Sequence, residues 1–172
     1  MAIALVCAGA FAVEGAIENW SALYLARDLH AGPAASSLGP AAYAVAMAGG
    51  RFSGAALTHR IGDRILLTGG ALFAIGGTTL AAAAPTAALA IAGFFLGGAG
   101  VSVAAPIAFG ATGRIGGSGA ISTVTTVGYL AFLVGPPAVG GIAQATSLRV
   151  SFALLALVAA AVAAAATRVR LD

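Results

Sequence analysis

The segment Glu14-Gly15-Ala16-Ile17-Glu18-Asn19-Trp20-Ser21-Ala22-Leu23-Tyr24 lies inside an otherwise apolar stretch, about residues 2–26, that is long enough to cross a bilayer as one helix. Carboxylates are costly in lipid, so both acids need protein or water around them. At about 3.6 residues per turn, the two acids share one helix face with Ser21 and Leu25. The segment therefore predicts a membrane helix whose polar face looks at protein or at a wet cavity.

The composition of the whole chain is that of a membrane protein. Of the 172 residues, 60% are hydrophobic and 8% are charged, and the mean hydropathy is +1.04, far outside the range of soluble domains. The eight arginines are scattered rather than clustered, so we predict no nucleic-acid partner. Neither histidine nor Cys7 has partners at ligand spacing, so we predict no metal and no cofactor.

Polar joints divide the chain into six apolar segments, which predict an all-α integral membrane protein with one six-helix domain over residues 1–172. We expect helices at about residues 2–26, 36–58, 65–84, 87–109, 118–144 and 148–167. Residues 110–117 are expected to form a flexible loop. Pro106 should kink or end the fourth helix, and Gly135-Pro136-Pro137 should interrupt the fifth.

The arginines are distributed unequally between the two membrane sides. If the amino terminus is cytoplasmic, the cytoplasmic side holds Arg51, Arg60, Arg64, Arg114, Arg168 and Arg170. The other side holds only Arg27 and Arg149. This positive-inside bias predicts that both termini are cytoplasmic.

Four stretches resemble the major facilitator superfamily, and within it the carboxy-terminal six-helix half of the fucose-permease-like branch of sugar transporters. They are residues 14–25, residues 50–64 with the Gly/Arg/Asp pattern of a cytoplasmic signature, residues 97–114, and residues 128–140 around Gly135-Pro136-Pro137. Ala55 and His59 depart from the family pattern, which commonly has acids at both positions. Asn19 stands where related sequences often have Asp.

The resemblance implies that the six helices of this chain correspond to helices 7–12 of a twelve-helix transporter. It implies proton-coupled alternating access for a small polar solute, with sugar as the solute class of the branch, in a bacterial-type inner membrane or a plasma membrane. The expected partners are the lipid bilayer, the solute, the proton, and either an amino-terminal six-helix half or a second copy of this chain. The alternative is a truncated fragment without transport activity.

Glu14 is the first candidate for the coupling site. It lies about 12 residues into its helix, or about 18 Å, which is close to the bilayer midplane where such transporters bind their solutes. Desolvation there, with Glu18 one turn away, favours a proton held between the two acids. The alternative is a neutral Glu14 that bonds a neighbouring helix and only stabilises the bundle.

Aromatic and amide side chains are the other candidates for solute binding. Trp20, Tyr24 and Tyr129 have ring faces that suit the C–H face of a sugar, but they equally fit an aromatic belt at the membrane interface. Asn19 has hydrogen-bonding groups for a polyol, although polar residues also hold membrane helices together.

The resemblance assigns two further residue sets. The cytoplasmic gate loop consists of Gly50, Arg51, Gly54, Arg60, Gly62, Asp63 and Arg64. The same arginines are equally consistent with simple topology determinants, and the side chain of Arg51 is long enough to snorkel to the headgroups. The helix-break and packing positions are Gly97, Gly100, Pro106, Gly135, Pro136, Pro137 and Gly140.

One short motif resembles that of an enzyme class, the intramembrane serine proteases. Residues 116–119 read Gly-Gly-Ser-Gly, similar to the serine motif of rhomboid-like proteases, whose catalytic histidine follows the serine. Here His30 and His59 both precede Ser118. We therefore predict no enzyme, and Ser118 is better interpreted as a helix N-cap.

Overall fold

The computed structural model describes residues 2–167, with the side chain of Ile115 left out, and these residues form six α-helices. They are α1 (Ala2–Arg27), α2 (Pro33–Ile61), α3 (Asp63–Ala83), α4 (Ala87–Val101), α5 (Ala104–Ala145) and α6 (Leu148–Ala166). The fold class predicted from the sequence is confirmed. Arg168 and Arg170, which contribute to the predicted orientation, lie outside the described residues.

Two helices begin where local chemistry favours a start. Pro33 occupies the first turn of α2, where its missing N–H costs nothing. The Ser147 side chain accepts a hydrogen bond from the backbone N–H of Val150 and so caps α6. Gly62 joins α2 to α3 at φ 83° and ψ 155°, a backbone region that is essentially restricted to glycine.

The fourth helical rod bends where Pro106 predicts a kink. The regular helix pauses at Ser102 and Val103 and resumes at Ala104, two residues before the proline. A proline ring clashes with the carbonyl four residues earlier, which here belongs to Ser102, and it also leaves that carbonyl without a helical donor. The kink therefore falls at Ser102 because of Pro106.

The expected flexible loop at residues 110–117 is wrong. Helix continues through Arg114, and within α5 the backbone leaves the helical region at Gly117, with φ 62° and ψ −160°. Ile107, Ala108 and Ala111 recur at helical spacing and are buried, so packing holds this segment in a helix. The two membrane rods of this region are Ala87–Arg114 and Gly116–Ala145.

The expected interruption of helix five at Gly135-Pro136-Pro137 is also wrong, because α5 stays helical through both prolines. The prolines remove the helical donors to the carbonyls of Phe132 and Leu133. Gly15 of α1 faces one of them, since a Cβ on Gly15 would lie 3.1 Å from the oxygen of Phe132. A neighbouring helix thus covers the weakened backbone, which is how membrane proteins tolerate proline.

Five rods within residues 2–167 are long and apolar enough to cross a membrane. They are α1, α3, α6 and the segments Ala87–Arg114 and Gly116–Ala145. The helix α2 has 29 residues, and its glycines, serines and Arg51 make it less apolar than the others. A helix of this kind needs protein or water along part of its length.

We call the end of the bundle that holds the start of α1 the N end, and the opposite end the C end. Arg64 at the start of α3 bonds the carbonyl of Thr167 at the N end. At the C end, the guanidinium of Arg149 donates to the carbonyl of Ala84, and the backbone N–H of Arg149 donates to the carboxylate of Asp28. The six rods therefore run alternately up and down.

Closely packed glycines connect the helices in pairs. A Cβ on Gly100 would overlap the backbone of Gly70 and Ala74, so α3 and α4 cross with their backbones in contact. A Cβ on Gly140 would lie 2.6 Å from the Trp20 ring, which packs α5 against α1. In a membrane, such small-residue contacts replace the hydrophobic driving force.

Candidate functional site

Glu14 and Arg51 form an ion pair between α1 and α2. Arg51 Nη2 donates to Glu14 Oε1 at 3.1 Å. The Glu14 side chain is 13% exposed and that of Arg51 is 48% exposed, so the acid is largely enclosed while the base reaches open space. Because the two helices are antiparallel, both residues lie about 15–18 Å from the N end at 1.5 Å per residue. The pair therefore sits near the middle of the membrane.

A bond from Glu14 to a neighbouring helix is one of the two roles that the sequence leaves open for this acid, whereas a contact with Glu14 is not among the roles predicted for Arg51. The Arg51 guanidinium contacts an acid inside the bundle instead of turning to the headgroups. Glu14 bonds Arg51 of α2, while Glu18, one turn further along α1, has an exposed side chain. The lone arginine could have been found as a partner, because it is the one cation at the depth of Glu14 on the next helix.

The predicted polar face of α1 is split in two. Ser21 and Leu25 are fully buried, whereas Glu18 and Asn19 are exposed. Asn19 Nδ2 donates to the carbonyl of Gly15 at 2.8 Å. Two polar groups therefore stand on an open side of α1, one turn beyond the ion pair.

Trp20 binds the backbone of α5 next to the two prolines. Its Nε1–H donates to the carbonyl of Pro136 at 2.9 Å, and the ring packs on Gly140. The ring is half-buried in this contact. The structure thus places Trp20 as a link between α1 and α5.

Tyr24 and Tyr129, both candidates for solute stacking or for an aromatic belt, lie in opposite environments. Tyr24 is fully buried, its hydroxyl donates to the carbonyl of Ala81 at 2.8 Å, and its ring contacts Phe94 and Phe152. This core position differs from both roles expected for Tyr24. Tyr129 is 61% exposed, with its ring 5.7 Å from that of Phe11.

A cavity of about 290 Å³ extends from Arg51 toward the N end. It is bounded by α2, α3 and the kinked region that joins α4 to α5. Its polar lining residues are Arg51, Thr58, His59, Asp63, Ser102 and Arg114. We call it the N-end cavity.

A second ion pair closes the wall of the N-end cavity. Arg114 Nη2 donates to Asp63 Oδ2 at 2.8 Å, with the acid 17% exposed. The pair joins the gate-loop segment to α5, a contact that the sequence pattern of the loop does not reveal. Arg60 and Arg64 of the same loop are exposed on its outer side.

Within residues 2–167, no three His, Cys, Asp or Glu side chains come together in a group that could hold a metal ion. Two of the acids, Glu14 and Asp63, form ion pairs with arginines instead. Such pairs act through ionic attraction and proton binding.

Within residues 2–167, five helical segments are long and apolar enough to cross a membrane, which is typical of an integral membrane protein. The chain belongs to the Major Facilitator Superfamily, whose family model matches residues 2–172. It is 37% identical over 172 residues to an uncharacterized MFS-type transporter of Yersinia pestis, covering 98% of this chain and 45% of the relative. It is 36% identical over 162 residues to the membrane protein MosC of Rhizobium meliloti, covering 92% and 39%.

A third relative is an uncharacterized transporter of Sinorhizobium fredii, 31% identical over 153 residues and covering 87% of this chain and 41% of that protein. The chain thus spans less than half the length of the curated relatives it matches.

Proposed function

We propose that this chain forms the carboxy-terminal six-helix half of a proton-coupled transporter for a small polar solute. The observation that carries the proposal is the Glu14–Arg51 ion pair at mid-membrane depth, open to one side through Arg51. Charged residues inside membrane spans are rare and mark ion pathways and proton relays. Family membership supports transport as the activity.

Glu14 is the proton carrier in this proposal. A proton that binds its carboxylate removes the negative charge and weakens the bond to Arg51. The released guanidinium is half-exposed and borders the N-end cavity, so it has room to move. Loss of the proton restores the pair and draws α1 and α2 together again.

Exposed polar groups on the same side of α1 supply the solute-binding wall. Glu18 and the side-chain oxygen of Asn19 accept hydrogen bonds, and the exposed ring of Tyr129 offers a face for sugar C–H groups. Hydroxyl-rich solutes fit this combination of acceptors and one aromatic face. A sugar is the solute class we propose, in line with the fucose-permease-like resemblance.

The second wall of the pathway comes from another six-helix unit. Relatives are more than twice as long as this chain, which favours an amino-terminal half over a second copy. In this arrangement both termini are cytoplasmic and the N end faces the cytoplasm. Gly50, Gly54, Gly62 and the charged residues of the loop then form the cytoplasmic gate, with the Asp63–Arg114 pair holding it shut.

Transport assays in proteoliposomes test the coupling role of Glu14. The chain is reconstituted with and without an amino-terminal half from a relative, with labelled L-fucose and other labelled monosaccharides as probes. We expect Glu14→Gln to abolish accumulation driven by a pH gradient while leaving sugar exchange between equal concentrations intact. Arg27→Gln, an exposed substitution at the C end, is the matched control and should leave both measurements unchanged.

The outcomes separate the parts of the proposal. Proton-driven accumulation by Glu14→Gln at the level of the unaltered chain removes the coupling role. If the chain exchanges no monosaccharide either alone or with the second half, sugar transport by this chain is refuted, as the truncated-fragment alternative predicts. Activity of the chain alone favours a pair of identical chains.

A further inference from the structure

A groove lies between α2 and α3, next to the N-end cavity, with which it shares four lining residues. Both helices pack against α4 but barely touch one another. The opening between them has a volume of about 360 Å³. Its walls carry Leu57 and Ile61 from α2 and Ile65 and Phe73 from α3, all of them large apolar side chains that are exposed.

The floor of this groove offers nothing to a polar ligand. Two hydroxyl groups line it, and both are already engaged within their own helices. Ser53 Oγ donates to the carbonyl of Gly49 at 2.8 Å, and Ser102 Oγ donates to the carbonyl of Ala99 at 2.7 Å. The rest of the floor is glycine, alanine, valine and leucine, so the groove suits a hydrocarbon chain.

The groove has the length of one membrane leaflet. From Ile65 to Phe73 the wall of α3 measures about 12 Å, and from Gly50 to Ile61 the wall of α2 measures about 16 Å, at 1.5 Å per residue. Half of the hydrocarbon core of a bilayer is about 15 Å. A single acyl chain therefore matches the groove from the headgroup level to near the midplane.

An exposed cation lies at the end of the groove where a headgroup would lie. Arg60 directly precedes the wall residue Ile61 and is exposed at the N end. Arg64 lies at the same end, but its guanidinium donates to the carbonyl of Thr167 at the end of α6 and does not line the groove. The acid of this junction, Asp63, is paired with Arg114 on the side of the N-end cavity.

We propose that the groove between α2 and α3 binds one anionic glycerophospholipid, with an acyl chain along Leu57, Ile61, Ile65 and Phe73 and its phosphate at Arg60. The apolar walls select a lipid over a free phosphate. Arg60 selects an anionic headgroup over a zwitterionic one, because basic residues beside membrane helices attract anionic lipids. The site does not depend on the proposed transport activity.

Gly69 offers a way to fill the groove without disturbing the fold. It lines the groove, and a Cβ placed on it would meet nothing within 4 Å. A leucine there extends into the space of the acyl chain. Gly76 lies two turns further along the same helix face, also has open space around it, and is not part of the groove. Gly69→Leu and Gly76→Leu are therefore a matched pair.

Lipid titration of the delipidated full chain by native mass spectrometry tests the proposal. The probes are phosphatidylglycerol, phosphatidylethanolamine with the same acyl chains, and glycerol 3-phosphate without acyl chains. We expect phosphatidylglycerol to bind at least fivefold more tightly than phosphatidylethanolamine, and glycerol 3-phosphate not to bind. Arg60→Gln should weaken phosphatidylglycerol binding about fivefold, while Arg27→Gln at the C end should leave it unchanged.

The groove itself is tested by the glycine pair. Gly69→Leu should weaken the binding of both lipids at least tenfold, and Gly76→Leu should have no effect. Equal binding of the two lipids by the unaltered chain would overturn the proposal, as would equal losses in the two glycine variants. Arg60 is exposed, so its substitution keeps the test valid even if Gly69→Leu fails to fold.

Discussion

A double-mutant cycle on Glu14 and Arg51 is the most direct measurement of the mid-membrane ion pair. At 3.1 Å and an effective dielectric constant of about 20, the gross attraction between the two charges is about 5 kcal/mol. Desolvation of the enclosed acid and ordering of the long arginine side chain oppose most of this. Since the arginine is 48% exposed, we expect a net coupling of about 1–2 kcal/mol.

The two single substitutions should be unequal. Arg51→Gln leaves the acid, which is only 13% exposed, without its partner, and should cost about 2 kcal/mol. Glu14→Gln leaves a half-exposed arginine that water can reach, and should cost about 1 kcal/mol. A denaturing detergent titration of the parent, the two single variants and the double variant gives the four free energies of unfolding. A coupling below about 0.3 kcal/mol would show that the contact contributes no net stability.

Three further substitutions test local features of the fold. Gly62→Ala should lower the free energy of unfolding by about 1–3 kcal/mol, because alanine is strained at the positive φ of this position. Gly76→Ala, which has equal space around it but a helical backbone, should be neutral or stabilising. Equal effects of the two substitutions would refute the strain at Gly62. Trp20→Phe should lower the free energy of unfolding by about 1 kcal/mol, because the hydrogen bond to the carbonyl of Pro136 is lost, and thermal unfolding measures this change. Tyr24→Phe should cost a similar amount because its hydroxyl is buried and donates to α3, and an unchanged midpoint would argue against that bond.

The sequence was sufficient for the six helices because lipid imposes a length on each apolar segment. It was less reliable where small residues cluster. Residues 110–117 contain four glycines and resemble a loop, yet helix continues to Arg114 because Ile107, Ala108 and Ala111 find a packing surface. Tertiary packing outweighed local propensity there.

The charged contacts were harder to predict than the helices. The depth of Glu14 follows from counting residues along one helix, but its partner depends on how α1 and α2 cross. The same holds for Asp63 and Arg114, which are 51 residues apart in the chain. Tyr24 is a further example. Its position near a helix end is typical of an aromatic belt, but in the structure its hydroxyl donates to the carbonyl of Ala81 on α3.

The exposed side of α1 also constrains what surrounds this chain. Glu18 lies about 24 Å along α1, well inside a helix of 26 residues, and it is exposed together with Asn19. A carboxylate at that depth cannot face acyl chains without a large cost. By contrast, the exposed residues of the groove between α2 and α3 are apolar and tolerate lipid. We therefore expect another protein unit or water against α1, and lipid against the groove between α2 and α3. The proposed solute-binding wall and the proposed lipid site then lie in different surroundings.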